Sequence, residues 1–438
     1  MTQKFYRPQD VELKDTAFVN ARIIDPESGY DDVGTLIVKD GKIAKFGKDV
    51  QADDSVEVVD CNGYVLCPGL LDIQVHFRTP GQEYKEDIIT GTKSAAAGGV
   101  TTCVCMANTT PVIDSVEIVN DLHEAIKNDS YVNTFTYASI TKGLKGEELT
   151  DMQALKEAGV IGFSDDGLPV MNSLTMRRAM EKADELGILI SQHCEDKNLS
   201  DGGCINEGEI SEKLGVKGVP NASEAIIVER DLLLLELTKG HYHVLHISTH
   251  QAIDAVRRAK AKGFNVTCEA APHHFVLTDH AVEKWEGLAK MNPPLRAQKD
   301  VVAIIEGLKD GTIDVIATDH APHEPDSKCV HISDAAFGIV GLETMLPLSL
   351  QLYYQGHMTL SEILAKMTYK AADVIGKPVG RIKEGLSADL TLIDIDSEWI
   401  IKSEEFSSKS KNSPFDGYEV KGRAVRTVVG GKTVFELV

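Results

Sequence analysis

The stretch LLDIQVHFRTPGQEYKEDIITGTKSAAAGGVTTCVCMA (70–107) reads in turn as strand, helix and strand. LLDIQVHF is a short apolar run, KEDIITGTKSAAAG (85–98) is helix-like, and VTTCVCMA (100–107) is a second apolar run rich in β-branched residues. The alternation continues outward from it. Candidate strands follow at VNTFTYAS (132–139), GVIGFSDD (159–166), GILISQHC (187–194), HYHVLHIS (241–248), FNVTCEAA (264–271) and TIDVIATD (312–319). Between them lie the helix-like segments SVEIVNDLHEAIKN (115–128), LTMRRAMEKADELG (174–187), ASEAIIVERDLLLLELTKG (222–240) and HQAIDAVRRAKAKG (250–263). About eight strand–helix alternations over roughly 300 residues predict a TIM-like (β/α)8 barrel, assigned to residues 69–378. A doubly wound sheet would carry G-x-G-x-x-G after its first strand, and none stands there.

Both flanks are β-rich and turn-rich. Before the barrel come AFVNARIID, GTLIVKDGKIAKFG with Asp40-Gly41 at a hairpin position, and VEVVDCNGYVLCPG. After it come ADLTLIDID and RAVRTVVGGKTVFELV, with Gly430-Gly431 as a tight turn. Residues 1–68 and 379–438 are therefore expected to meet in one small β-sandwich. SEEFSSKSKNS (403–413) is expected to be a surface loop of that module.

Composition narrows the function. The 438 residues are 42% hydrophobic and 26% charged, a globular balance that excludes disorder. Forty-five Lys and Arg against 67 Asp and Glu give a net charge of −22, which repels phosphate backbones and anionic lipid. Neither nucleic acid nor membrane is an expected partner. The first residues hold no signal-peptide core, and no apolar run reaches ~18 residues, so a cytoplasmic protein is expected. Eight cysteines without a C-x-x-C pair exclude a dense disulfide framework and a thiolate zinc ribbon. Cys103 and Cys105 read as two buried small side chains on one strand face.

Barrel enzymes build their sites at the C-terminal strand ends. Here strand one ends in Gln74, His76 and Arg78, and strand two runs into Asn108. Strand four ends in Asp165 and Asp166, strand five in His193 and strand six in His246. Strand eight ends in Asp319 and His320, with His323 just beyond. Singly each has an ordinary reading: a histidine among 14 is usually at the surface, and Asp166 could cap the turn SDDG. Those readings do not explain why all of them fall at one end of successive strands. Imidazole and carboxylate together are the ligands of a catalytic Zn2+ that keeps a position open for water.

The segment PGLLDIQVHFRTPGQEYKEDIITGTKSAAAGGVTTCVCMANTTPVID resembles the first-strand signature of the amidohydrolase superfamily, and within it the class I dihydroorotases. ATDHAPH (317–323) is similar to that family's second signature, and GFSDDGLPV, SQHCED, HYHVLHIST, CEAAPHHFVLTD, KMNPPLR and FGIVGLET match in order. The resemblance implies a barrel with a small β-sandwich and a reversible, zinc-dependent cyclisation of N-carbamoyl-L-aspartate to L-dihydroorotate, a step of pyrimidine synthesis. It implies His76, Asp166, His193, His246 and Asp319 as metal ligands, with Asp319 also carrying the proton. Arg78 and Asn108 would hold the substrate carboxylate with His323 close by, while Asn292 and the backbone around Phe337 and Gly338 would contact the ring. One or two zinc ions are expected, one position being weakened because Gln74 stands where the family has histidine. A homo-oligomer and an aspartate transcarbamoylase are the candidate protein partners. A hydantoinase or allantoinase would share fold and metal, but the carboxylated lysine of many hydantoinases has no counterpart in GFSDDG. A non-catalytic subunit scaffolding the transcarbamoylase would lose most metal ligands, whereas this chain loses one. The stretch 324–336, EPDSKCVHISDAA, has the composition of a mobile loop over the mouth or of an inert surface excursion.

Overall fold

The computed structural model describes residues 2–53 and 55–438. Eight short strands stand where the apolar runs predict them: Leu70–Val75, Val100–Cys105, Asn133–Thr136, Gly162–Ser164, Leu189–Gln192, Tyr242–Val244, Val266–Ala270 and Val315–Ile316. The first three pair in parallel, as do the last five. Parallel bridges Ala138–Phe163 and Val75–His320 join the two sets into a ring. Such strands are covered on both faces, which is why they read as continuous apolar runs. Leu71, Ile73, Val104, Tyr137, Leu189, Leu245 and Val315 form one buried cluster. Leu70, Val75, Val100, Cys103 and Cys105 pack on the other side, with Ala95, Ala96 and Val119 of the helices. Asp72, fully buried, accepts from the backbone N–H of Thr318 (3.1 Å) and so ties the first strand to the last.

The helices begin where local chemistry supplies a cap. Asp87, Ser115, Asn172 and Thr249 each accept from a first-turn backbone N–H, opening Ile88–Ala97, Val116–Asp129, Ser173–Leu186 and His250–Ala261. Gly187, at φ 61°, closes the third of these in the left-handed conformation that favours glycine.

The termini form a second module beside the barrel, a small β-sandwich. Its nine-stranded sheet takes strands from Gln3–Phe5 through Val65–Pro68 and from Leu390–Ile400 through Lys432–Leu437. Val65–Pro68 runs antiparallel to Leu390–Ile393, so the two ends of the chain are zipped together. The segment 403–413 corrects the expectation of a surface loop. Ser408, Ser410, Asn412 and Ser413 are buried, and the segment lies against the barrel. Lys409 donates its backbone N–H to the buried carboxylate of Glu86 (3.1 Å), and Ser410 donates its hydroxyl to the Lys85 carbonyl (2.6 Å). Its buried serines and asparagine satisfy hydrogen bonds inside the protein, while Glu404, Glu405 and Lys409 remain exposed.

Candidate active site at the barrel mouth

The strand ends bring five distant residues to one buried point. His76, Asp166 and Asp319 place ligand atoms within 4.8 Å of one another, and so do Asp166, His193 and His246. Asp166 belongs to both groups. Asn108 Oδ1 accepts from His76 Nδ1 (2.9 Å), which leaves His76 Nε2 facing Asp319 Oδ1 (3.0 Å) and Asp166 Oδ2 (3.3 Å). His193 Nδ1 faces His246 Nε2 (2.9 Å), with Asp166 Oδ1 beyond at 3.8 Å. Burial disfavours ionised Asp166, but the hydrogen bond to His246 and the nearby imidazoles hold its carboxyl well below the usual range.

Three of the residues at these strand ends have positive φ although none is glycine: Arg78 at 57°, His246 at 30° and Asp319 at 48°. Each such conformation costs on the order of 1–3 kcal/mol and persists only where the surroundings impose it. The turn out of the strand aims the side chain, and this left no mark in the sequence pattern.

Buried imidazole nitrogens and carboxylate oxygens in this proximity suit a borderline cation such as zinc. Gln74 fits that reading as well. It is fully buried, and neither Oε1 nor Nε2 has a hydrogen-bond partner among the described residues. Ile73 and Val75 fall in different buried clusters, and the pairing with the next strand shifts register between Asp72 and Val75, so regular alternation is broken around Gln74. The residues present therefore could hold a metal.

Beside this cluster lies Arg78, buried and without an ion pair to any described carboxylate. Its Nε donates to the Pro322 carbonyl (3.2 Å), and its Nη2 stands 3.2 Å from His323 Nε2. Burial lowers the Arg78 pKa only to about 10, so it stays cationic. Burial, and then the charge of Arg78, pull His323 down to about 2. Neutral His323 therefore accepts from Arg78 through Nε2 and carries its hydrogen on Nδ1, which has no partner among the described residues.

Relatives fix the family. A family model described as Dihydro-orotase-like matches residues 63–252. A dihydroorotase of Wolbachia sp. subsp. Drosophila simulans is 56% identical over 421 residues, covering 96% of this chain and 95% of that protein. The chain belongs to the dihydroorotase family. A dihydroorotase of Ehrlichia canis is 52% identical over 99% of this chain and 97% of its own length; one from Geobacter metallireducens is 48% identical over 95% and 98%. Among solved structures, the L-hydantoinase (dihydropyrimidinase) from Arthrobacter aurescens superposes with a TM-score of 0.88 at 25% identity, covering 97% of this chain and 98% of that one. The dihydropyrimidinase from Brevibacillus agri gives 0.84 at 22% identity over 96% and 95% and shares the fold. This chain and these hydantoinase and dihydropyrimidinase structures thus share one barrel-and-sandwich frame.

Within that frame several polar residues have places the sequence did not reveal. Asn108, expected at the substrate carboxylate, has its oxygen on His76 and its Nδ2 3.4 Å from Asp166 Oδ2. Asn292, expected at the ring, donates to Glu195 Oε2 (2.9 Å). Glu195 lies beyond the strand end and is not marked by the strand-end pattern. It accepts from His193 Nε2 (2.9 Å), which fixes the tautomer that leaves Nδ1 facing the cluster. Burial opposes its ionisation, but His193 and Lys197 hold its carboxyl far below the ordinary range. Its only signal was its place two residues after His193 in SQHCED. Asp165, adjacent to Asp166, turns away and accepts from the Ile140 (2.7 Å) and Thr141 (3.0 Å) backbone. His320 faces Glu86 at 3.4 Å rather than the cluster. Phe337 is partly exposed, with the Lys290 ammonium 4.4 Å over its ring.

Proposed function

We propose that this protein is a cytoplasmic, zinc-dependent dihydroorotase that interconverts N-carbamoyl-L-aspartate and L-dihydroorotate in pyrimidine synthesis, water being the co-product of cyclisation. His193, His246 and Asp166 would hold one ion, and His76, Asp166 and Asp319 a second, weaker one. When bound, the cation lowers the pKa of water and polarises the amide carbonyl. Asp319 takes the proton from the attacking water as the ring opens. It returns that proton to the ring nitrogen as the carbon–nitrogen bond breaks, acting as base and then acid. Arg78 receives the substrate carboxylate, and the Nδ1–H of His323 is a further donor beside it. The segment 337–338 and Asn292 line the side toward the ring.

The observation that carries this reading is Arg78 itself. A buried guanidinium with no carboxylate among the described residues at ion-pair distance, and with N–H donors left over after Pro322 and His323, favours an anionic ligand, and dihydroorotate brings a carboxylate where hydantoin and allantoin do not. The test is hydrolysis of dihydroorotate, hydantoin, allantoin and dihydrouracil by zinc-loaded protein, with metal analysis of the same sample. A kcat/KM for dihydroorotate at least about 100-fold above the others is expected. Preference for hydantoin or allantoin would overturn the assignment, and a protein that binds zinc yet turns over none would make it non-catalytic.

A further inference from the structure

Lys328 is one of the largest fully buried side chains in the protein. Among the described residues it meets no carboxylate within ion-pair distance. Its ammonium donates instead to three backbone carbonyls: Lys290 (3.0 Å), Ala336 (2.7 Å) and Gly338 (2.8 Å). An ammonium has three N–H donors, and each has one acceptor here. The residue stands at the end of a four-residue helix, Pro325–Lys328, inside the stretch whose composition suggested a mobile loop. Lys290 adds a second tie, donating through Nζ to the Ser333 carbonyl (3.0 Å).

The Gly338 carbonyl has a second donor from across the chain. Asn412, buried in the terminal module's inserted segment, donates to Gly338 O (3.0 Å) and to Ala321 O (3.0 Å). Its Oδ1 accepts from the His323 backbone N–H (3.0 Å). Two buried side chains from different modules thus converge on one peptide. That peptide has no slack, because a Cβ at Gly338 would lie 2.5 Å from Ala321 O and 2.7 Å from His323 Cδ2.

Its position matters on both sides. Gly338 N donates to Lys290 O (3.0 Å), two residues before Asn292, which reaches Glu195 beside His193. On the other side it packs against residues 321–323, and His323 meets Arg78. Segment 336–338 therefore spans from the histidine cluster to the guanidinium.

We propose that Lys328 and Asn412 are positioning residues for substrate: together they lock segment 336–338 in place, so that the 324–338 loop is a pinned wall of the site and the terminal module helps to set its geometry. The role in substrate binding rests on the dihydroorotase reading; the pinning itself does not. Neither side chain touches the residues that would hold metal or move the proton, so the loss falls on binding. A loosened wall still admits substrate but contacts it less well, and lost contacts that are equal in ground and transition state raise KM.

The experiment compares wild type, Lys328→Met, Asn412→Ala and Asn412→Asp, all zinc-loaded, for dihydroorotate hydrolysis and zinc content. It also follows amide hydrogen exchange over 329–340 in each. In the wild type that exchange should be slow with or without dihydroorotate. Each variant should raise KM at least about tenfold, leave kcat within about threefold and zinc content unchanged, and speed exchange over 329–340. Asn412→Asp should match Asn412→Ala, since it keeps the acceptor for His323 but loses the donor to Gly338. An unchanged KM in any folded variant, or fast exchange of 329–340 in the wild type, overturns the proposal. If Lys328→Met does not fold, the two Asn412 variants and the wild-type exchange decide it. A wild type that exchanges slowly but fails to hydrolyse dihydroorotate refutes the functional reading and leaves the pin standing.

Discussion

Replacing Arg78 tests the carboxylate site most directly. The guanidinium has five N–H donors; Nε–H goes to Pro322 and one on Nη2 to His323, which leaves three for a ligand. Two hydrogen bonds from a charged donor, each worth ~1.5–3 kcal/mol, set an upper range of ~3–6 kcal/mol. Part of that is offset by desolvating the substrate carboxylate, so a net loss of ~3–4 kcal/mol, about 10²–10³ in kcat/KM, is expected for Arg78→Met. Arg78→Lys keeps the charge without the fork and should recover about tenfold. All three side chains would share the same strained backbone at φ 57°, so the series isolates the head group. The assay is kcat/KM for dihydroorotate beside dihydrouracil, which lacks the carboxylate, with thermal unfolding of each variant. The loss should appear with dihydroorotate and be at most about threefold with dihydrouracil. Equal losses on both substrates would show that Arg78 supports structure and holds no carboxylate.

Asp319→Asn should cut turnover by about 10²–10⁴ with the thermal midpoint within a few degrees of wild type; retention of more than a tenth of the activity would remove Asp319 as proton carrier. Gln74→His should raise the zinc retained against a mild chelator, because imidazole outcompetes an amide for zinc; equal and full occupancy of two positions in both proteins would refute the weakness assigned to Gln74. Glu195→Gln should weaken zinc binding about 10- to 100-fold by loosening His193, read by chelator competition, and unchanged binding would make its contact with His193 incidental. His323, with its pKa pulled down to about 2, is neutral throughout pH 5–9, so His323→Asn should lower kcat/KM without altering the shape of its pH profile over that range; loss of an acidic limb in the variant would show that His323 titrates there.

The barrel was legible because its physics is local. A parallel strand covered on both faces must be apolar along its length, so LLDIQVHF and VTTCVCMA announce themselves, and the polar residue that ends each run marks the mouth. That rule marked His76, Asp166, His193, His246 and Asp319 together with Asp165 and His320, which face other partners; the resemblance singled out the five, and the closed ring makes them neighbours. The rule says where a side chain starts and not what it meets. Asn108 was marked by that rule and Asn292 by the family resemblance alone, and their amides are engaged by His76 and Glu195.

What stayed hidden was the polar interior contributed by loops. A stretch such as EPDSKCVHISDAA or SEEFSSKSKNS has the same composition whether its lysine and asparagine face water or buried carbonyls. Periodicity cannot separate the two cases, since neither segment is a regular helix or strand along its length. The difference is made by partners far along the chain: Asn412 meets Ala321 and Gly338 across 91 and 74 residues, and Lys409 meets Glu86 across 323. Burial of such a residue is tolerable only because every partner is in place, so its role is a property of the closed structure and not of the segment. The same condition makes these contacts informative once seen. A lysine with three carbonyls at hydrogen-bond distance cannot be moved without costing each of them a donor, and the peptide it holds is held for as long as the barrel is closed.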